Sequence, residues 1–282
     1  MIICKLISEV RQIVKDQRAN GRSIALVPTM GFLHQGHLTL VEEAKKSGAF
    51  VVMSIFVNPL QFGPNEDFAR YPRDLEQDAQ KAAGAGVDMI FNPEVDEMYP
   101  TRNLTYVEVG ELGDTLCGAS RPGHFRGVTT VVSKLLHCVQ PDRAYFGQKD
   151  YQQYLIVRQM VQDLNFPLEV IAVPIVREED GLAMSSRNVY LTPEQRTEAL
   201  VLQRSLTEAE KWVHQGERSA QVIAEQIKAK ITNETSGEVD YVEIRSADDL
   251  SALATLQGKV LIALAVRFGS TRLIDNKVLE GL

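Results

Sequence analysis

From about residue 8 to residue 176, short apolar runs alternate with stretches whose apolar positions recur at helical spacing, and this rhythm constrains the fold more than any other feature. The spacing predicts helices at 8–20, 38–46, 74–83, 128–139 and 150–163, and strands at 24–27, 51–57, 88–91, 144–146 and 168–176. The strand segments are apolar throughout, as strands buried on both faces must be. Strand and helix in alternation predict a doubly wound, mainly parallel α/β sheet of Rossmann type, with helices on both faces. In such a sheet ligands sit beyond the carboxyl ends of the strands.

After Val176 the rhythm changes. Two long helical segments, 193–215 and 219–233, precede strand-like runs at 241–244 and 260–266. The expected organisation is therefore a larger domain of residues 1–176 and a smaller α+β domain of residues 177–282. A chain of 282 residues suits one main domain with an appendage.

Composition narrows the function classes. Net charge is −7 with no run of lysines or arginines, which argues against nucleic acid or an anionic membrane as partner. The three cysteines, Cys4, Cys117 and Cys138, show no CxxC spacing, so neither a zinc site nor a disulfide framework is expected. The start, MIICKLISEVRQIVKD, has apolar residues at helical spacing broken by charges, unlike a secretion signal. No apolar stretch approaches the roughly 18 to 20 residues that span a bilayer.

Chemistry-bearing residues cluster after the predicted strands. Pro28-Thr29-Met30-Gly31-Phe32-Leu33-His34-Gln35-Gly36-His37 follows the first long strand and opens a helix. A helix N-terminus suits phosphate, imidazoles can donate to oxygens gaining charge, and Gly31 and Gly36 allow close approach. The alternatives are histidines that cap and pack the helix, or an i, i+3 metal pair lacking an evident third ligand. Phe146-Gly147-Gln148-Lys149-Asp150 is another strand-to-helix turn, where Lys149 reads as a phosphate contact and Asp150 as a cap or ribose contact, or both as an exposed helix start. It lacks the GxxxxGK[ST] pattern of a Walker loop. Met184-Ser185-Ser186-Arg187-Asn188 reads as a triphosphate clamp or as ordinary loop chemistry.

Two further segments point to small-substrate recognition. Asn58 and Gln61 in SIFVNPLQFG offer uncharged donors for hydroxyls and carboxylates, and residues 64–72, with Asp67, Arg70 and Tyr71, read as a lid. Arg121-Pro122-Gly123-His124-Phe125-Arg126-Gly127 either gathers an anionic substrate or ties its loop to acidic neighbours. His137, His214 and Trp212 read as packing or surface residues.

Taken in order, PTMGxLHxGH, SIFVNPxQF, RPGHFRGV, FGxKDYQQ and MSSRN resemble the pantothenate synthetases (pantoate–β-alanine ligases) along almost the whole chain. That family is related to nucleotidyl transferases and class I aminoacyl-tRNA synthetases, whose HIGH motif is similar to residues 34–37 and whose KMSKS loop is similar to residues 184–188. The resemblance implies that (R)-pantoate attacks the α-phosphate of ATP to form pantoyl adenylate, and that β-alanine then displaces AMP. Magnesium is expected on the ATP phosphates, with no protein metal site. The resemblance makes His37 the proton donor, with His34, Lys149 and Arg187 also catalytic. It builds the ATP site from Met30, Gly31, Phe32, Leu33, His34, Gln35, Gly36, His37, Gly147, Gln148, Lys149, Asp150, Val176, Met184, Ser185, Ser186 and Arg187. Gln61 and Gln153 would hold pantoate, with Asn58 a secondary candidate. A cytoplasmic homodimer is also implied.

Phe32 stands where the family often has a small residue, and Gln35 where glutamate is frequent. Three rivals remain on sequence grounds: a nucleotidylyltransferase, a class I synthetase fragment, and a non-catalytic nucleotide-binding protein. The amide-rich segment at 58–61 favours the ligase over the first, and the acidic balance disfavours the second.

Overall fold

The computed structural model describes residues 1–64 and 66–281. The first sheet has six parallel strands: β1 (Ile2–Cys4), β2 (Ile24–Thr29), β3 (Phe50–Ile55), β4 (Met89–Phe91), β5 (Arg143–Gly147) and β6 (Glu169–Val173). Their order is β1-β4-β3-β2-β5-β6. The chain therefore winds outward from β2 through β3 to β4, and turns the other way at β5. The crevice between the carboxyl ends of β2 and β5 is the switch point of the sheet.

Helices α1 (Ile7–Ala19), α6 (His124–Val139) and α7 (Tyr151–Asp163) cover one face, while α2 (Gln35–Lys46) and α3 (Leu75–Ala85) cover the other. Single turns α4 (Val95–Met98) and α5 (Cys117–Ser120) lie in the connection before α6. Strand β2 shows why the strands read as unbroken apolar runs. Ile24 and Leu26 enter the core under α1 and α6, whereas Ala25 and Val27 enter the core under α2. Successive side chains point to opposite faces, and here both faces are dry.

The second sheet is antiparallel, with β7 (Glu238–Ser246), β8 (Val260–Phe268) and β9 (Thr271–Leu279) in that order. Helices α8 (Pro193–Glu198), α9 (Val201–His214) and α10 (Ala220–Glu234) precede it. Ile262, Leu264 and Val266 of β8 pack beneath α9 and α10. Leu261 and Ala263 face the other way, against Tyr151 and Leu155 of α7. The small sheet is thus pressed between its own helices and the larger unit. The parallel sheet and the smaller α+β unit match the expected fold class.

Local departures have physical causes. Residues 2–4, expected within a helical pattern, form edge strand β1 beside β4, too short to show a period of two. The expected helix 193–215 is interrupted, because the amide of Leu200 bonds the carbonyl of Thr197 with a tighter, three-residue spacing. Strand β9 has no counterpart among the expected elements, since the buried pair Asp275 and Asn276 breaks its apolar alternation. The expected strand 168–176 stops at Val173, before Pro174. Among the described residues no helix is long and apolar enough to cross a membrane.

Candidate active site

The segment after β2 is held by a buried carboxylate. Asp78 of α3, 1% exposed, accepts from the amides of Phe32 at 2.8 Å and Leu33 at 2.6 Å. Burial raises the Asp78 pKa, against which those two amide bonds act. Gly31 has φ +84°, and a Cβ there would lie 2.9 Å from the Asp78 carboxylate. Phe32 follows at φ 51°. Protein approaches closely at Gly31, and at Gly36, which lines the cavity, a Cβ would meet the His34 ring at 2.9 Å. Leu33 is core, and Gln35 is exposed and bonds Glu42.

His34 is the N-cap of α2 and His37 lies one turn on, their ring centroids 4.0 Å apart. The backbone amide of His34 donates to Nδ1 of His37 at 3.3 Å. That nitrogen accepts, so the proton of a neutral His37 ring belongs on Nε2. Burial, then the charge of Lys149, lowers His34 to about 4. Burial, followed by His34 and Lys149, pushes His37 well below its usual value. Both rings are neutral at neutral pH, and both line the crevice as hydrogen-bonding groups. Nδ1 of His34 is buried and has no partner among the described residues.

The facing wall comes from β5 and from the second unit. Gly147 ends β5, and a 3-10 turn, Gln148–Asp150, carries Lys149 to the crevice. The side-chain amide of Asn276 donates to the carbonyls of Gln148 and Lys149, each at 2.9 Å. Asp150 caps nothing with its carboxylate and lies 3.8 Å from the Lys149 ammonium. Val176 begins a hairpin in which Arg177 pairs with Ala183, and Met184, Ser185 and Ser186 follow against the crevice. Ser186 Oγ donates to the carbonyl of Phe32 at 3.2 Å, which joins the two walls. Arg187 faces the same space, but its guanidinium is bound twice by Asp67, at 3.0 Å for each bond.

Gln61 closes the far end. Its amide carbonyl accepts from Asn58 at 3.1 Å and its nitrogen meets Met30 Sδ at 3.2 Å. Asn58 itself is 1% exposed and lines neither cavity. Its groups are taken up by Gln61, the carbonyl of Gly127 and the hydroxyl of Tyr99, so it orients Gln61. His124 donates from Nδ1 to the carbonyl of Gln61 at 2.8 Å and sits at about 4, lowered by burial and then by Arg121. Arg121 pairs with Glu66 at 2.5 and 2.7 Å, so of its two readings the tie to an acidic neighbour holds.

A cavity of about 220 Å³ gathers Met30, His34, Gly36, His37, Gln61, Gly147, Lys149, Asp150, Gln153, Val176, Met184, Ser185, Ser186 and Arg187. Gly31, Phe32, Leu33, Gln35 and Gln148 stay out of its lining. A second cavity of about 800 Å³ lies between the two units and shares Lys149, Asp150, Gln153, Ser185 and Arg187 with the first. Together they form one cleft at the switch point. Asn65, inside the expected lid 64–72, lies outside the described residues.

Sequence reasoning missed Asp78, Asp275 and Asn276. Asp78 falls four residues before Ala82 on the buried stripe of α3, and an acid on an apolar stripe was the available signal. Asp275 and Asn276 lie in a strand that the apolar pattern does not reveal.

The chain matches the family model described as Pantoate-beta-alanine ligase over residues 2–278. It is 80% identical to a pantothenate synthetase of Desulfitobacterium hafniense (strain DSM 10664 / DCB-2), covering 100% of both chains, and 60% identical to one of Moorella thermoacetica, covering 99% of both. The fold is similar to the crystal structure of pantothenate synthetase from Thermus thermophilus, with a TM-score of 0.93, 48% identity and 99% coverage of each chain. It is also similar to a pantoate-beta-alanine ligase from Francisella tularensis described as complexed with beta-gamma ATP and beta-alanine, with a TM-score of 0.80, 34% identity and coverage of 99% and 97%. The chain belongs to the pantoate–β-alanine ligase family.

Proposed function

We propose that this chain condenses (R)-pantoate with β-alanine using ATP, through pantoyl adenylate, releasing AMP and diphosphate and yielding pantothenate for coenzyme A synthesis. The observation that carries this reading is the meeting of two neutral imidazoles, a lysine, an arginine and two glutamines on one cleft at the switch point. The imidazoles and cations suit a triphosphate, and the amides suit a small hydroxy acid.

In the first step a pantoate carboxylate oxygen bonds the α-phosphorus and the bond to diphosphate breaks. Nε2–H of His37 donates to phosphate oxygens as charge builds on them, with His34 beside it. Lys149 acts as a point charge on the leaving diphosphate, joined by Arg187 once ATP has drawn it from Asp67. Gln61, fixed by Asn58, and Gln153 hold pantoate in line. In the second step the amine of β-alanine attacks the acyl carbon and AMP leaves. Residues 66–72 cover the intermediate from water.

Asp150 is the one carboxylate lining the smaller cavity among the described residues. Among the same residues no three His, Cys, Asp or Glu side chains are grouped to hold a metal. That donor set suits magnesium carried on the ATP phosphates with Asp150 nearby, where it supplies charge neutralisation. The domain division is placed between residues 176 and 177, supported by Leu182 packing into the core of the second unit. We also infer a cytoplasmic homodimer, which sedimentation would test.

The decisive test is AMP release from ATP, magnesium and pantoate, with and without β-alanine, with mass detection of pantothenate. Both products only when all substrates are present is the expected result. Diphosphate release that proceeds steadily without the amine would favour a nucleotidylyltransferase.

A further inference from the structure

Asp275 and Asn276 are adjacent on β9 and are 2% and 5% exposed, although both are polar and one is an acid. Successive side chains of a strand point to opposite faces, so a strand with two consecutive buried polar residues is wedged between two partners. The register bears this out. Asn276 lies opposite Ala263, whose side chain packs toward α7, and Asp275 lies opposite Leu264, whose side chain packs toward α9 and α10.

On the first face Asn276 uses its side-chain amide on the turn that carries Lys149, at 2.9 Å to the carbonyls of Gln148 and Lys149. On the second, Asp275 binds both terminal nitrogens of Arg177, at 2.6 and 2.9 Å. Arg177 in turn donates to the carbonyl of Gly181 at 3.2 Å, across the hairpin that leads into Met184–Arg187. The backbone amide of Asn276 donates to the Asp275 carboxylate at 2.8 Å, so the two residues act as one unit. Apolar residues would have sufficed for adhesion of the second unit, since a buried ion pair is a poor source of net stability. What this polar pair adds is direction, because each hydrogen bond fixes the placement of the group it reaches.

We propose that Asp275 and Asn276 are positioning residues, which set the separation between the Lys149 turn and the Met184–Arg187 segment so that both reach the same triphosphate. The proposal rests on the ligase reading for its assay. On this view the side chains of Asp275 and Asn276 contribute to adenylate formation through the groups they hold in place. The chain from Lys149 to Arg187 runs through β9, and slack at Asn276 moves Lys149 relative to the phosphates. The second half-reaction, in which diphosphate has already gone, does not need that spacing.

The experiment compares the wild type with Asn276→Ala and Asn276→Asp. Asp has the shape of Asn but offers no amide hydrogens, so a donor role predicts that both variants fail alike. Three quantities are read: affinity for a non-hydrolysable ATP analogue by calorimetry, single-turnover formation of pantoyl adenylate, and the rate at which preformed adenylate reacts with β-alanine. The expected result is a loss of about ten- to a hundredfold in adenylate formation, weaker analogue binding, and an unchanged second step. Wild-type adenylate formation in Asn276→Ala, full activity in Asn276→Asp, or an equal fall in both half-reactions would overturn the proposal. Absence of turnover in the wild type would instead defeat the ligase reading. Analogue affinity would then decide the present proposal by itself, because it needs no turnover.

Discussion

His37 has its Nδ1 committed to a backbone amide, and this one contact determines what the ring can do. With Nε2 carrying the only proton, the ring donates to phosphate without first being charged. His37→Ala is expected to lower adenylate formation by about a hundredfold or more, the scale of losing one donor to developing charge. Circular dichroism and the melting temperature should stay near wild type; normal adenylate formation in the variant would remove His37 from the mechanism. The neutral histidines also bear on stability. His34 and His124 sit at about 4 in the folded chain, against about 6.5 when unfolded. Below about pH 6.5 the unfolded chain binds more protons, so stability is intact above about 7 and falls as pH drops toward 4. Urea midpoints across that window should show the decline, and His124→Gln should make it shallower; an unchanged slope would mean His124 titrates normally. Of the residues in this cleft, the histidines, Lys149 and Arg187 are legible from sequence because each follows a strand end. Asp78 is legible only from its place on the apolar stripe of α3, since an acid in an amphipathic helix otherwise reads as surface until the 31–33 turn folds over it.

The segment of residues 66–71 and the Ser185–Arg187 loop are tied together before any nucleotide is considered. Asp67 accepts two bonds from Arg187, Glu66 takes Arg121, and Tyr190 donates to the carbonyl of Arg70 at 2.8 Å. A phosphate reaching Arg187 must therefore displace a carboxylate of similar shape. Asp67→Asn weakens the incumbent and keeps its size. The expected outcome is a KM for ATP several-fold lower, with kcat for the overall reaction unchanged or higher. A raised KM in steady-state assays would show instead that Asp67 serves the bound nucleotide. Elements differ in how plainly they can be read. Strands β2 and β3 are visible because both faces are buried and the apolar run is unbroken. Strand β1 spans only three residues, and β9 hides because the inward positions that would show alternation hold Asp275 and Asn276.

At the scale of the whole molecule, the two units adhere through a small apolar cluster, Leu116, Tyr151, Leu155, Ala247, Leu250, Leu261 and Ala263, and through the polar pair on β9, whose Asn276 holds the Gln148–Asp150 turn while Asp275 holds Arg177 within the second unit. The apolar cluster is non-directional and tolerates sliding, whereas the hydrogen bonds of Asn276, whose own backbone amide is braced by Asp275, do not. Asp275→Ala removes one partner of a pair whose carboxylate is 1% exposed and leaves Arg177, 25% exposed, without it. Removing one partner of a buried pair costs about 3 kcal/mol, with the lower end favoured here because the guanidinium can still reach water. The wild type is expected to unfold in urea in one transition, since the second unit shares its core with α7. Asp275→Ala loosens the second unit and removes the acceptor that braces the Asn276 amide, so it should lower the midpoint and separate loss of the small sheet from loss of the large one, read by Trp212 fluorescence in the second unit against far-ultraviolet circular dichroism. Saturating ATP with magnesium binds across both walls and should bring the two transitions back together, because a ligand that needs both units in register stabilises only the joined state. Coincident transitions in the variant, with a change below about 1 kcal/mol, would show that the apolar cluster alone couples the units.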